Sequence, residues 1–359
     1  MSFTDKKREE IEKYLFRKIA LNDKDLIEKT MDSFGISVTS VKRYLKKATE
    51  DGNIEKREEL ACGYALVEQS FEERVKIDGS VQEDKIYDTF LRERLSVCKS
   101  TAQRIWQYAC AEILNNALEH SRGTYVRIIL KMNVLNTTVM IVDDGVGVFR
   151  TLTEYMAEHG WQDPDEEDAL VELYKGKITC DASRHSGEGI FFSSKAVDTF
   201  AIWSGSKVYK CCGGREHEVV ENRLLAYASR MENIGSLVMM TLENETTRKL
   251  AEVFDMYADE DEGFIRTMIP VKEACISGEP VARSQARRIC NRLEEFREII
   301  LNFEGVEVMG QGFADEIFRV FAVAHPQITL CPVQMKQEVR RMIRHVGRGK
   351  LAENVHLDV

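Results

Sequence analysis

The feature that most constrains this chain is an apolar segment that ends in two carboxylates and two glycines. Residues 138–147 read TVMIVDDGVG, so a strand ends at Asp143. A carboxylate at the end of so apolar a strand is costly unless it binds something, and it could accept the exocyclic amine of adenine. Gly145 and Gly147 lack side chains, so the turn can lie against a purine. We expect Asp144 to form the turn.

A second segment predicts a helix from 98 to 120 whose polar residues share one face. Glu112, Asn116 and His120 are four residues apart, about one helical turn each. An Asn oxygen is a hard ligand that suits Mg²⁺ held together with phosphate oxygens. A Glu one turn earlier could hold and deprotonate a water aimed at a γ-phosphate. We expect His120, at the helix end, to pack or cap rather than to take part in chemistry.

A third segment, residues 184–190 (RHSGEGI), leads into a predicted helix from 189 to 197. Gly187 precedes that helix and Gly189 begins it, and the first backbone N–H groups of the helix could hold phosphates. Arg184 and His185 would add positive charge. Residues 161–182 before this turn are predicted to be a long loop.

The order of the three motifs, ExxxNAxEH, DDGxG and HSGEGI, resembles the GHKL ATPases, which include gyrase, Hsp-type chaperones, histidine kinases and anti-sigma-factor kinases. The resemblance covers roughly residues 90–245. It implies ATP and Mg²⁺ as cofactors, with Glu112 as the catalytic base and Asn116 on the metal. Of the nucleotide-binding candidates, the resemblance implies Asn116, Asp143, Gly145, Gly147, Gly187 and Gly189. The neighbouring residues Arg184, His185, Ser186, Glu188 and Ile190 complete the candidate set.

The N-terminal residues 1–58 predict three helices followed by a wing that starts at residues 52–55, an order that resembles a winged helix-turn-helix of bacterial regulators. The third helix, predicted from 38 to 50, carries basic residues that could meet phosphates and base edges. The alternative is a three-helix bundle whose basic face serves dimerisation or docking. The DNA-binding residues that this interpretation names are Thr39, Lys42, Arg43 and Lys46.

The C-terminal residues alternate between predicted strands and helices after a break at 277–280. They resemble the STAS-like domain that follows the ATPase domain in a group of bacterial ATP-binding proteins. We expect its strands at 281–283, 298–303 and 328–331, with a helix capped by Ser284. The fold class is therefore α+β, with a winged-helix-like N-terminal domain, a GHKL α/β sandwich built on a mixed sheet with helices on one side, and a small C-terminal α/β domain. The expected domains are 1–58, a connector at 59–95, 96–260 and 278–350.

Charge and composition bear on what the protein can bind and on the cellular compartment in which it is expected. The 359 residues carry a net charge of −10, which argues against a general nucleic-acid coat and confines any DNA contact to a local basic patch. No apolar run is long enough for a membrane span, and the first residues lack a secretory signal. Nine cysteines without paired metal or disulfide spacing are typical of a reduced, cytoplasmic protein.

Together these patterns predict an ATP-driven regulatory switch, expected to be a homodimer, that couples nucleotide state to DNA binding or to a protein partner of the C-terminal domain. Two alternatives stay open: a serine/threonine-kinase-like anti-sigma regulator, and a scaffold that nucleotide stabilises without hydrolysis. If residues 301–306 form the central strand, Gly310 and Gln311 occupy the place of the Asp-Ser pair that is phosphorylated in STAS antagonists. Neither side chain can accept a phosphoryl group, so a kinase acting on its own tail is disfavoured.

Overall fold

The structure is a computed structural model with an α+β architecture. Three units follow one another along the chain: a helical N-terminal unit, a central unit on a large sheet, and a C-terminal unit on a small sheet. No helix among the described residues combines the length and the apolar character that crossing a membrane requires. The described residues are 4–178, 187–212, 216–259, 261–275, 278–347 and 350–357.

The N-terminal unit is three helices and a short antiparallel hairpin packed on one apolar core. Ile11, Leu15 and Ile19 are spaced by four residues and are buried, as the helical periodicity predicts. The Ser37 hydroxyl accepts a hydrogen bond from the Ser40 N–H at 3.3 Å and caps the third helix. The elements are α1 (Asp5–Ala20), α2 (Leu26–Phe34), α3 (Val38–Glu50), β1 (Ile54–Lys56) and β2 (Tyr64–Leu66).

The central unit is built on a six-stranded sheet in which every neighbouring pair is antiparallel. The expectation of a mixed sheet is wrong, because strands that run in the same direction are always separated in the sheet by an antiparallel strand. The segment expected as a connector at 59–95 supplies an edge strand of this sheet. In sheet order the strands are β3 (Gln69–Lys76), β4 (Tyr125–Met132), β5 (Asn136–Asp143), β8 (Ser236–Glu243), β6 (Thr199–Ser204) and β7 (Lys207–Cys212).

Helices cover both faces of this sheet, which corrects the expectation of helices on one side. Val139 and Ile141 of β5 belong to the core under most of the helices, whereas Met140 and Val142 face the opposite side. That second side is closed by a helix at residues 216–228, whose buried positions are four residues apart. The helices are α4 (Glu83–Ile86), a π-helical turn (Tyr87–Leu91), α5 (Arg92–Leu95), α6 (Ser100–His120), α7 (Val148–Glu158), α8 (Glu166–Lys175), α9 (Gly189–Ala196), α10 (Glu216–Ala228) and α11 (Leu250–Tyr257).

The helix α8 lies where the sequence predicts a loop at 161–182. The Asp165 carboxylate accepts hydrogen bonds from the N–H groups of Glu167 and Asp168, both at 2.8 Å, and so caps the first turn. The acidic first turn also suits the positive end of the helix dipole. Gly176 ends the helix with φ at +92°. The acidic run that suggests a loop is therefore a helix start.

The C-terminal unit is a three-stranded parallel sheet with helices around it. Its strand order is β11–β12–β13, so the predicted strand at 298–303 is central. The expected strand at 281–283 is wrong, because the third strand is Arg266–Pro270, before the predicted break. Ser284 does not cap the next helix; the Gln285 side chain accepts from the N–H groups of Val281 and Ala282 at 3.0 and 2.8 Å. After a hairpin of β9 (Ala258–Asp259) and β10 (Gly263–Phe264), the elements are β11 (Arg266–Pro270), α12 (Val271–Ala274), α13 (Arg283–Cys290), a 3-10 turn (Leu293–Glu295), β12 (Glu298–Asn302), α14 (Gln311–Asp315), a π-helical turn (Glu316–Phe321), α15 (Ala322–Ala324), β13 (Thr329–Val333) and α16 (Gln337–Val346).

The outer units rest on opposite parts of the central one. Leu135, in the turn between β4 and β5, is buried in the apolar core of the N-terminal unit. Beside it, the Glu243 carboxylate lies 2.8 Å from both the Lys13 and the Arg17 side-chain nitrogens. On the other side, Phe264 packs 4.7 Å from Phe191, ring centroid to ring centroid, and joins the central and C-terminal cores.

Leu135→Ala is expected to lower the free energy of unfolding by about 2–3 kcal/mol, because truncation of a buried leucine removes transfer energy and leaves a cavity. Urea denaturation measures the change. Val97→Ala is the matched control, since Val97 is 74% exposed and its truncation should cost no more than about 0.5 kcal/mol. Equal losses in the two variants would show that Leu135 does not hold the N-terminal unit to the sheet.

Candidate functional site

Helix α6 brings its polar face to a cavity of about 330 Å³. Glu112, Asn116 and His120 all line that cavity, as their four-residue spacing predicts. Asn115 and Ser121 extend the same wall. The volume lies within the range of small-molecule pockets, roughly 300–1,000 Å³.

Strand β5 ends at this cavity, and Asp143 lines it. Its carboxylate is buried and accepts a hydrogen bond from the Gly145 N–H at 2.9 Å. Burial raises the pKa of Asp143 above its usual value of 3.8, an effect that hydrogen bonds from Gly145 and Ser236 oppose. The site therefore holds a poorly solvated carboxylate that can accept hydrogen bonds from a ligand.

The turn after Asp143 is shaped by close backbone packing. Gly147 lines the cavity and has φ at +95°, and a side chain there would also collide with the Ser204 hydroxyl. Gly145 instead lies against the Ser121 carbonyl, where any side chain would clash. Position 145 therefore requires glycine, because this turn packs closely on the end of α6.

Asp144 forms the turn, as predicted. One of its carboxylate oxygens accepts hydrogen bonds from the N–H groups of Thr124 and Tyr125 at 2.6 and 2.9 Å, and the other accepts one from the Thr124 hydroxyl at 2.5 Å. Burial favours a higher pKa, but these hydrogen bonds outweigh it and lower the pKa of Asp144 below 3.8. The surroundings thus raise the pKa of Asp143 and lower the pKa of the adjacent Asp144.

The third predicted segment meets α6 at the start of α9. Gly187, Gly189 and Ile190 line the cavity, while Glu188 is the residue that precedes α9. A side chain on Gly189 would collide with the Glu112 carboxylate, so the first turn of α9 lies directly beside that acid. Arg184, His185 and Ser186, also predicted to bind nucleotide, lie outside the described residues.

Several residues that line the cavity cannot be predicted from local sequence patterns. Ser236 faces the site only because β8 pairs with β5, with Ser236 opposite Asp143. Leu173 lies on the unpredicted helix α8, and Ile178 follows it. The apolar part of the wall consists of Ile113, Ala117, Ile141, Val148, Leu152, Leu173, Ile178, Ile190, Ile202 and Val238.

The donor set suits a magnesium ion only in company with a ligand. Asn116 supplies an amide oxygen and Glu112 a carboxylate in the same wall. Within the described ranges, no three His, Cys, Asp or Glu side chains cluster as metal ligands. Mg²⁺ commonly binds through one or two protein oxygens and completes its shell with water and substrate phosphates, which fits this wall.

The predicted DNA-binding residues lie apart from the cavity, on α3 of the N-terminal unit. Thr39, Lys42, Arg43 and Lys46 are all solvent-exposed. Lys46 lies 3.6 Å from the Glu50 carboxylate on the same helix. The hairpin beyond α3 pairs Arg57 with Glu55 at 2.6 Å, so its charge is partly neutralised.

Comparison with known families finds one match. Residues 285–340 match the STAS-like domain of unknown function (DUF4325), so the C-terminal unit contains a STAS-like domain. No curated protein matches the chain.

Asp143→Asn is expected to leave the melting temperature without nucleotide unchanged or higher, and to abolish its rise with Mg·ATP. Because the folded-state pKa of Asp143 is raised, ionisation costs stability as pH increases through that pKa, and at pH 7 the neutral amide avoids this cost. Differential scanning fluorimetry measures both effects.

Asp144→Asn is the matched control with the opposite sign. The pKa of Asp144 is lowered, so its ionised form stabilises the fold above the unfolded-state pKa and this stability is lost as pH falls. The variant should therefore melt lower at pH 7 yet keep the rise with Mg·ATP. A loss of the nucleotide response in Asp144→Asn but not in Asp143→Asn would reverse the assignment.

Proposed function

We propose that the protein is a Mg²⁺-dependent ATP-binding regulatory switch that hydrolyses ATP, with a GHKL-type central unit. The observation that carries the proposal is the convergence of Glu112, Asn116 and Asp143 on one cavity. Glu112 and Asn116 come from α6 and Asp143 from β5, and they suit the attacking water, the magnesium ion and the adenine of Mg·ATP, respectively. The apolar wall beside Asp143 suits a purine.

Each residue has a separate role in the proposed reaction. Asp143 accepts a hydrogen bond from the exocyclic amine of adenine. Asn116 would supply an oxygen ligand to the magnesium ion that is bound to the phosphates. Glu112 accepts a proton from water as the water oxygen bonds to the γ-phosphorus. The bond from that phosphorus to the bridging oxygen breaks, and ADP and inorganic phosphate leave. Gly189 keeps α9 close to Glu112 and free of side-chain bulk at that point.

The N-terminal unit is proposed to be a winged helix-turn-helix that contacts DNA through α3. Its three helices and hairpin, with exposed Lys42, Arg43 and Lys46, support this role. The proposed assembly is a homodimer in the cytoplasm. The described cysteine sulfurs, which are all free thiols, are compatible with a reducing compartment.

A kinase that phosphorylates its own C-terminal unit is disfavoured. Gly310 and Gln311 follow the central strand β12 and begin α14, and neither carries a hydroxyl group. Turnover separates the proposed switch from a scaffold that nucleotide only stabilises, since a scaffold would bind ATP without releasing phosphate.

Glu112→Gln is expected to retain Mg·ATP binding and to lower the rate of phosphate release by about 10²–10⁴-fold, the usual contribution of a general base. The amide keeps the size of the side chain beside Gly189 but cannot take the proton. Glu119→Gln on the same helix is the control, because Glu119 is exposed. Unchanged phosphate release in Glu112→Gln would remove the base from the mechanism.

Replacement of Lys42, Arg43 and Lys46 by Ala is expected to abolish DNA binding or to reduce the slope of log K against log salt by up to about 2.7, since each lost phosphate contact removes about 0.9. Fluorescence anisotropy with duplex DNA at several salt concentrations measures this.

The control removes the same charge from the central unit by replacing Lys85, Arg92 and Arg104, all exposed, with Ala. Wild-type protein that shows no salt-dependent DNA binding would instead favour a protein-docking role for the N-terminal unit.

A further inference from the structure

One wall of the nucleotide cavity is also the contact surface of the C-terminal unit. Leu173 on α8 and Ile178 just after it line the cavity. Residues 165–178, here called the wall segment, are held from outside by α13 and the turn that follows it. We propose that the STAS-like unit positions this wall and so sets nucleotide affinity, with Arg288 as the principal positioning residue. This inference rests on the proposed function.

The start of the wall segment is joined to the C-terminal unit by Arg288, while Lys207 of the central unit also lies 3.3 Å from the Glu167 carboxylate. The Arg288 guanidinium lies 3.1 Å from the Asp165 carboxylate, 2.6 Å from that of Glu167 and 2.6 Å from that of Asp168. Asp165 is also the residue that caps α8. Arg288 therefore contacts the same acidic turn that starts the helix, and its positive charge reduces the repulsion among three carboxylates.

The end of α8 is held by a buried lysine. The Lys175 ammonium donates hydrogen bonds to the carbonyls of Arg288 at 3.2 Å and Asn291 at 2.5 Å, and to the Glu172 carboxylate at 2.5 Å. Lys175 is 1% exposed, so these hydrogen bonds replace those that its amine would make with water. The two carbonyls lie at the end of α13, where a cation is favourable. Lys175 thus caps a helix of the neighbouring unit.

The chain stays anchored between α8 and the cavity. The Lys177 ammonium donates to the Glu295 carbonyl at 2.7 Å and lies 4.5 Å from the centre of the Phe296 ring. Thr267 of β11 adds a hydrogen bond to the Lys175 carbonyl at 2.8 Å. Ile178, the next residue after Lys177, is already in the cavity wall.

Anchoring at both ends fixes the wall segment before nucleotide arrives. A ligand that meets a wall already in place does not have to order it on binding, and this strengthens its affinity. If Arg288 were removed, part of the nucleotide's binding free energy would be spent on ordering the wall segment, and affinity would fall. Because coupling between two sites is reciprocal, nucleotide should in turn strengthen the contact between α8 and α13. The STAS-like unit is therefore the regulatory input to the cavity.

The test compares Arg288→Ala with Arg287→Ala in the full chain. Arg287 is the matched control, because it lies on the same helix but pairs within the C-terminal unit, 3.0 Å from the Glu316 carboxylate. Isothermal titration with Mg·ATP should show at least a fivefold weaker Kd for Arg288→Ala, within the usual range of coupling between sites, and an unchanged Kd for Arg287→Ala. In turnover, KM should rise more than kcat falls. Arg288→Lys, which keeps one charge, should lie between wild type and Arg288→Ala.

Hydrogen exchange gives a readout that does not depend on nucleotide. Amides of residues 166–175 should exchange faster in Arg288→Ala than in Arg287→Ala, and Mg·ATP should slow exchange at residues 283–290 in the wild type. Equal Kd values and equal exchange in the two variants would overturn the inference, as would tighter binding by Arg288→Ala. If wild-type protein binds no ATP, the proposed function fails, and the exchange at 166–175 still decides whether Arg288 holds the wall.

Discussion

The structure depends on one costly placement, a carboxylate at the inner end of an apolar interior strand. β5 is hydrogen-bonded on both sides, to β4 and β8, and its side chains enter the apolar cores on both faces of the sheet. Asp143 ends this strand in a buried position, and the fold supplies it with few donors. Groups with such a perturbed pKa in a cavity mark functional sites more often than structural ones. In the proposed function this carboxylate gives the cavity its specificity for adenine, and its burial costs the fold stability.

The same strand links the cavity to the N-terminal unit. At about 3.3 Å per residue, β5 spans roughly 25 Å from the turn at Leu135 to Asp143. Its first residue, Asn136, pairs with Glu243, which binds Lys13 and Arg17 of α1. A stiff element therefore joins the contact with the N-terminal unit to the base of the cavity. Together with α8, which joins the cavity to the STAS-like unit, it connects both outer units to one site through continuous secondary-structure elements.

Local patterns in the sequence predict much of this architecture. Helices α1 and α6 follow from four-residue spacing, and β5 follows from its apolar run. The shared face of Glu112 and Asn116 follows from helical geometry alone. Ser236 cannot be predicted in this way, because its position depends on a strand pairing almost a hundred residues away in sequence. The sequence predicts a loop in place of helix α8, because an acidic run suits both an exposed loop and the first turn of a helix. The contact between this helix and Arg288 joins residues that are more than a hundred positions apart, so no local sequence pattern predicts it.

The central claim is that this cavity binds an adenine nucleotide, and isothermal titration of the intact wild-type protein tests it most directly. With Mg²⁺ present, ATP should bind saturably with one nucleotide per chain and more tightly than GTP, because Asp143 offers an acceptor to the adenine amine. Absence of saturable ATP binding, or equal affinity for ATP and GTP, would contradict the account.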